Sequence, residues 1–281
     1  MYKHLNRWFP IFVLPTLVSF CVAFLVPFVM GVWLSFHRFT TVTNARFVGW
    51  ENYVRAFTED DGFLQALVFT AAFTVVSVVV VNGLAFALAL ILTRNLRGTA
   101  LWRSVFFMPN LIGGIVLGYV FSLLVNGLLG IWGVDITFAA SYGFWGLVAL
   151  NTWQLGGYMM VIYIAGLQNV PKSLIEAAAI DGATATTTLW RIKLPMVMPS
   201  VTICTFLTLT NSFKLFDQNL ALTAGAPDRQ TQMLALDIYQ SFYGRIGWQG
   251  VGQAKAVLFF LLVSAIASIQ LGLTRSREVD V

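Results

Sequence analysis

Apolar runs, each about as long as a bilayer core is thick, recur along this chain, with shorter polar stretches between them. A helix crosses the hydrocarbon core in roughly 20 apolar residues. The pattern predicts six spans: Ile11 to Leu34, Leu64 to Leu92, Ser104 to Val125, Gly143 to Leu167, Met196 to Leu222 and Lys255 to Thr274. The expected fold class is therefore all-α integral membrane protein, with residues 1–281 forming a single transmembrane domain. An even number of spans puts both termini on one side. No internal repeat or low-complexity tract interrupts the pattern. The first run holds Pro15 and Pro27 and is longer than the apolar region of a signal peptide, so it is read as a retained span.

Composition agrees, since 58% of residues are hydrophobic and only 10% charged, far below the charged quarter or so of a soluble domain. Bases accumulate on the cytoplasmic side of a membrane protein. With the N-terminus inside, the inner segments hold Lys3, Arg7, Arg94, Arg97, Arg103, Lys172, Arg191, Lys193, Arg275 and Arg277 against Glu176, Asp181, Glu278 and Asp280. The outer segments then hold slightly more acids than bases. Both termini are expected in the cytoplasm of a multi-pass protein of the bacterial cell membrane. The basic balance reflects topology, and scattered bases give no nucleic-acid patch. Cys21 and Cys204 fall inside spans and are expected to be packing residues. His4 and His37 fall on opposite sides, so no metal site and no catalytic cluster is expected. No phosphate-cradling Gly-x-x-x-x-Gly-Lys-Ser/Thr occurs, so any ATP must be bound elsewhere.

Polar residues inside spans are costly and mark cavities or helix contacts. In the fourth span Asn151, Gln154 and Tyr158 fall within about 60° on one helical face, with Trp153 nearby. In the fifth, Asn211, Lys214 and Gln218 share a face, while Phe213 and Phe216 are expected to point away. Amides beside aromatic rings suit a neutral, hydroxyl-rich ligand. Lys214 is expected to pair with Asp217, three residues on. An unpaired Lys214 would instead favour an acidic cargo, such as a uronate oligosaccharide or a phosphorylated polyol. Used as structural glue, the same stripes would join helices by hydrogen bonds. An ion-coupled secondary transporter would need a midplane ionisable pair, for which Lys214 and Asp217 are the candidates.

The polar insert 168–195 reads Glu176-Ala177-Ala178-x-x-x-Gly182-x9-Ile192-x-Leu194-Pro195. Ser173 and Glu176 suggest a capping box opening a helix, Gly182 its end, and Thr184 to Ile192 a second short helix closed by Pro195. This pattern resembles the EAA loop of binding-protein-dependent ABC importers. From Arg94 onward the chain is similar to the maltose and multiple-sugar class of their permeases, with weaker similarity over residues 11–93. Phe47-Val48-Gly49-Trp50-Glu51-Asn52-Tyr53 is similar to their short outer motif, where Trp50 and Tyr53 serve equally well as an interfacial aromatic belt. Gly225-Ala226-Pro227-Asp228-Arg229 is like the turn-rich element before their last span.

That resemblance implies a type I ABC importer permease fold that works by alternating access. Glu176, Ala177, Ala178, Asp181 and Gly182 would dock an ATP-hydrolysing subunit. The sugar pocket would take Asn151, Trp153, Gln154, Leu155 and Tyr158 from the fourth span, and Asn211, Ser212, Lys214 and Leu215 from the fifth. Phe106 and Asn110, flanking Pro109, would add a third wall. Leu155 and Leu215 stand where the maltose type has glycine and asparagine. The implied partners are a second homologous permease, two ATP-binding subunits carrying ATP and magnesium, an extracytoplasmic solute-binding protein, a carbohydrate substrate and membrane lipid. The chain itself would hold no cofactor and would not be an enzyme.

Overall fold

The computed structural model describes residues 13–94 and 97–275. Lys3, His4, Arg7, the start of the first span at Ile11, Asn95 and Leu96 of the Arg94–Gly98 turn, Arg277, Glu278 and Asp280 lie outside the described residues, as do the termini. Almost all the ordered structure is helical. In chain order the elements are α1 (Val13–Leu34), a short β-hairpin of β1 (His37–Arg38) and β2 (Arg46–Phe47), α2 (Glu51–Thr58), α3 (Asp61–Leu92) and α4 (Thr99–Phe107). Then follow α5 (Gly114–Leu129), α6 (Ala140–Gln168), α7 (Lys172–Ile180), α8 (Ala185–Met196), α9 (Met198–Phe213), α10 (Asp217–Leu222), α11 (Leu234–Tyr243) and α12 (Gln249–Arg275).

Among the described residues, five helices are long and apolar enough to cross a membrane: α1, α3, α5 with its terminal 3-10 turn, α6 and α12. The pair α8 and α9, bent by 70°, supplies a sixth span if counted as one. The run Val78–Val81 in α3 would be a poor helix former in water. In lipid the backbone must satisfy its hydrogen bonds internally, which leaves helix as the available state.

Three expected spans differ in detail. The predicted third span, Ser104 to Val125, is broken: α4 ends at Phe107, a 3-10 turn covers Met108–Leu111, and Ile112 and Gly113 are extended before α5 begins. Pro109 lacks an N–H for a continuing ladder, which explains the break. The fifth span is not one helix either. Pro195 does not end its helix, because a π-helical turn at Leu189–Lys193 precedes it and α8 runs on to Met196. The bend comes at Val197, just before Pro199 in the first turn of α9. Lys214–Phe216 then interrupt the helix a second time before α10. The last span starts earlier than expected, so Lys255 lies within α12.

The chain packs as two compact units, divided after Asp61, Asp237 and Leu261. In the larger, α6 is the central helix. One core cluster joins Val81, Ala85 and Ala89 of α3 to Leu155, Met159 and Tyr163 of α6 and Cys204 of α9. A second joins Phe73, Leu117, Leu147, Leu150, Leu215, Leu222 and Met233. Small residues set the closest approaches. A Cβ on Gly157 of α6 would lie 1.8 Å from the Phe106 carbonyl oxygen, and one on Gly118 of α5 would lie 2.8 Å from Cβ of Ala221 in α10. In the smaller unit, Phe28 of α1 meets Phe260 of α12 edge-on at 4.8 Å.

Candidate functional site

Two glycine contacts bring the break after α4 and the start of α10 to one place in the larger unit. With no side chain at Gly157, the end of α4 lies against α6 and the following turn presents Asn110. With none at Gly114, α10 lies against α5 and presents Asp217 and Gln218. Between them lies a cavity of about 310 Å³ lined by Asn110, Asn151, Gln154, Leu155, Asn211, Lys214, Leu215, Phe216, Asp217 and Gln218. Its wall carries amides on several elements, one aromatic ring, one ammonium and one carboxylate.

Hydrogen bonds hold part of this wall in place. Gln218 Nε2 donates to Gln154 Oε1 at 2.6 Å, tying α10 to α6, and Gln154 Nε2 donates to the Ile112 carbonyl at 3.4 Å. Asn211 Nδ2 is turned back onto the Leu207 carbonyl at 2.8 Å. Asn151 Nδ2 donates to Ser212 Oγ at 3.3 Å. Its other atom, Oδ1, is buried and has no hydrogen-bond partner. A buried amide oxygen left without a donor is costly, and this one belongs to a residue of the cavity wall.

Of the residues expected at a pocket, Asn110, Asn151, Gln154, Leu155, Asn211, Lys214 and Leu215 come together here. Phe106, Trp153, Tyr158 and Ser212 do not line the cavity. The Phe106 ring stacks on Trp102 at 6.2 Å, Trp153 lies 6.2 Å from Phe121, and Tyr158 meets Phe107 edge-on at 6.4 Å. Ser212 is buried behind the wall as the acceptor for Asn151. Phe216 and Asp217, by contrast, join the wall. In an unbroken helix Phe216 would face away, but the interruption at Lys214–Phe216 changes its direction. The expected Lys214–Asp217 pair is absent: among the described residues no ion pair joins them, and Lys214 is exposed. With Lys214 closing α9 and Asp217 opening α10, the spacing of three no longer stacks their side chains.

The loop between α6 and α9 departs from expectation at its start and matches it at its turn. Pro171, not Ser173, is the N-cap of α7, and no side chain caps it, so the expected Ser173–Glu176 box is not formed. At the other end Gly182 has φ +75°, the Gly182 N–H donates to the Ala179 carbonyl and the Ala183 N–H to that of Ala178. This is the paired bonding of a glycine-terminated helix. Thr184 then caps α8, accepting from the Thr187 N–H at 3.2 Å. Glu176, Ala177 and Asp181 are exposed, Ala178 is buried, and Ile180 stands 87% exposed beside them.

A site elsewhere was not anticipated. In the smaller unit Lys255 and Asp60, both fully buried, form an ion pair; Lys255 Nζ also donates to Ser241 Oγ at 2.8 Å, and Arg245 Nη1 lies 3.6 Å from Asp60 Oδ1. The signal in the sequence was a lone lysine in an apolar run, which needs a partner.

Comparison with known proteins accounts for this architecture. Residues 83–277 match the family described as binding-protein-dependent transport system inner membrane component. The probable starch degradation products transport system permease protein AmyD of Thermoanaerobacterium thermosulfurigenes is 40% identical, over 97% of this chain and 96% of that protein. The multiple sugar-binding transport system permease protein MsmF of Streptococcus mutans is 30% identical, over 99% of each. In three dimensions the chain superposes, with a TM-score of 0.82 and 17% identity over 98% of each chain, on a bacterial ABC transporter involved in the import of the acidic polysaccharide alginate. The chain belongs to the family of binding-protein-dependent transport system inner membrane components. It has the type I ABC importer permease fold and is a multi-pass membrane transport subunit, not an enzyme.

Proposed function

We propose that this chain is one of two permease subunits of an ATP-driven oligosaccharide importer, and that the amide-lined cavity is its share of the translocation path. The observation that carries the reading is the cavity wall itself, which gathers the amides of Asn110, Asn151, Gln154, Asn211 and Gln218 around one space. These amides offer sugar hydroxyls both hydrogen-bonding roles, and the Phe216 ring suits an apolar sugar face. The sugar-transport names of the relatives AmyD and MsmF support the same cargo class.

In this reading the whole chain works as one transmembrane domain with both termini in the cytoplasm, paired with a related permease. An extracytoplasmic binding protein delivers cargo. Two partner subunits bind ATP and magnesium and press on the α7–α8 loop, with Glu176, Ala177 and Asp181 at the contact and Ala178 and Gly182 shaping the turn. Ile180 adds an apolar contact. Reversing a 1:99 conformer ratio takes about 5.5 kcal/mol of differential binding, within reach of nucleotide-driven closure. The Glu176→Lys variant is expected to lose most co-purifying ATPase; normal co-purification would reject this docking role. Membership of the family sets aside an ion-coupled mechanism.

A second reading, an acidic cargo, is favoured by the exposed Lys214, which has no ion-pair partner among the described residues. The test is ATP hydrolysis by the reconstituted complex with its cognate binding protein. Stimulation by neutral oligosaccharides supports the main reading. Stimulation by uronates or phosphorylated polyols alone transfers the site to an anionic ligand, and stimulation by no carbohydrate rejects both.

A further inference from the structure

In the smaller unit, helix α2 is turned inside out. At 100° per residue Trp50, at its N-cap, and Val54 lie within about 40° of each other, and they are 67% and 56% exposed. The buried positions on the opposite side are Asn52 and Ala56. A helix on a water-soluble surface turns its apolar stripe inward; this one leaves Trp50 and Val54 outside and buries the amide of Asn52.

The orientation is held by specific bonds. Asn52 Nδ2 donates to the Ser35 carbonyl at 2.8 Å and to that of His37 at 2.9 Å, satisfying the backbone where α1 ends. The Tyr53 and Ser35 hydroxyls are 2.7 Å apart. Rotating α2 to bury its apolar face would break all three bonds.

What the face meets follows from its surroundings. Only residues 35–60 separate α1 from α3, both long enough to span a membrane, so α2 lies close to a membrane boundary. Trp50 packs edge-on against Phe36 at 5.0 Å and lies 5.1 Å from Tyr53. Phe36 follows α1 directly, and α1 itself exposes Val29, Met30 and Trp33. The exposed apolar surface therefore continues from the exposed end of α1 through the half-buried Phe36 to Trp50 and Val54, and the exposed Phe47 adds to it. Of the flanking charges, Arg38 pairs with Glu51 and Arg55 with Glu59, Arg55 also lies over Trp248 at 5.0 Å, and Arg46 stands exposed beside Phe47. Paired charges and a single base beside a Trp-bearing apolar stripe suit the headgroup boundary.

We propose that α2 is an interfacial anchor whose Trp50–Val54 face is buried in the outer leaflet of the lipid bilayer. It holds the outer end of α1 at a fixed depth.

The test uses the complete transporter, with partner permease and ATPase subunits, in lipid nanodiscs. A spin label is placed at Val54→Cys or, as the polar-side control, at Glu59→Cys, in a Cys21→Ala background; Cys204 is buried. Oxygen, which concentrates in lipid, should relax the Val54 label several-fold more than a water-soluble nickel chelate does, and the order should reverse at Glu59. A Val54 label more accessible to nickel than to oxygen would overturn the proposal, because the face would be in water. A Val54 label shielded from both would overturn it too, because protein would then cover the face. Thermal unfolding of each labelled complex, matched to the parent, shows that the helix is intact.

Discussion

Two polar sites in this apolar chain differ in how far their buried groups find partners. In the smaller unit, Lys255 and Asp60 satisfy one another, and Ser241 and Arg245 complete their surroundings. In the larger unit, among the described residues, the buried Asn151 Oδ1 has no hydrogen-bond partner and the exposed Lys214 no ion-pair partner at the edge of a cavity. A satisfied buried cluster has no use for a ligand, while an unsatisfied one in a cavity wall leaves bonding capacity for cargo. Thr74, Ser77 and Thr152 also carry buried hydroxyl oxygens without partners, but none of them lines the cavity. The unmatched atom and the cavity together make the distinction.

The comparison can be broken most forcefully at Lys255. Replacing it with Met takes the ammonium away from the buried Asp60 carboxylate, and removing one member of a buried pair costs about 3–5 kcal/mol. Lys255→Met is expected to lower the melting temperature and the yield of assembled complex, and adding Asp60→Asn should restore much of both. Unchanged thermal unfolding in the single variant would show that the pair is dispensable.

Gly157→Ala tests the wall of the cavity. The new Cβ cannot remain 1.8 Å from the Phe106 oxygen, so α4 must move, at about 1–3 kcal/mol for an overpacked site. Uptake should fall together with stability as Asn110 leaves its place. Normal uptake would mean that the approach of α4 does not set the site.

At Asn151 the two properties should part. Asn151→Leu removes the orphaned oxygen and the 3.3 Å bond to Ser212 Oγ together at similar volume, so melting should change little, while uptake falls by about tenfold for one lost hydrogen bond to cargo of about 1.4 kcal/mol. A fall in stability matching the fall in uptake would make Asn151 a structural residue like Lys255. The smallest change is expected from Lys214→Gln, with uptake of a neutral oligosaccharide kept within about twofold, the scale of a surface charge. A large loss confined to acidic cargo would make Lys214 the selector.

Much of the fold was legible in the pattern of residues. Lipid removes the competition of water for backbone groups, so an apolar run of sufficient length implies a helix whatever surrounds it. Gly182 was legible for a similarly local reason, since a positive φ favours glycine. The capping box was not, because Pro171 starts the helix earlier and places Ser173 inside its first turn. Half-turn errors at the site came from treating the fifth span as continuous. Periodicity assigns faces only while the helix lasts, and the chain leaves it at Lys214.

From its sequence alone, this protein is a multi-span helical membrane subunit with a glycine-terminated polar loop, because hydropathy and backbone conformation act over a few neighbouring residues. Which side chains share the cavity, and that Lys255 finds Asp60 at a separation of 195 residues, were decided by tertiary structure. Those pairings depend on where the helices break and how closely glycines let them approach, and both are settled only when the packed chain has satisfied, or left open, each buried polar group.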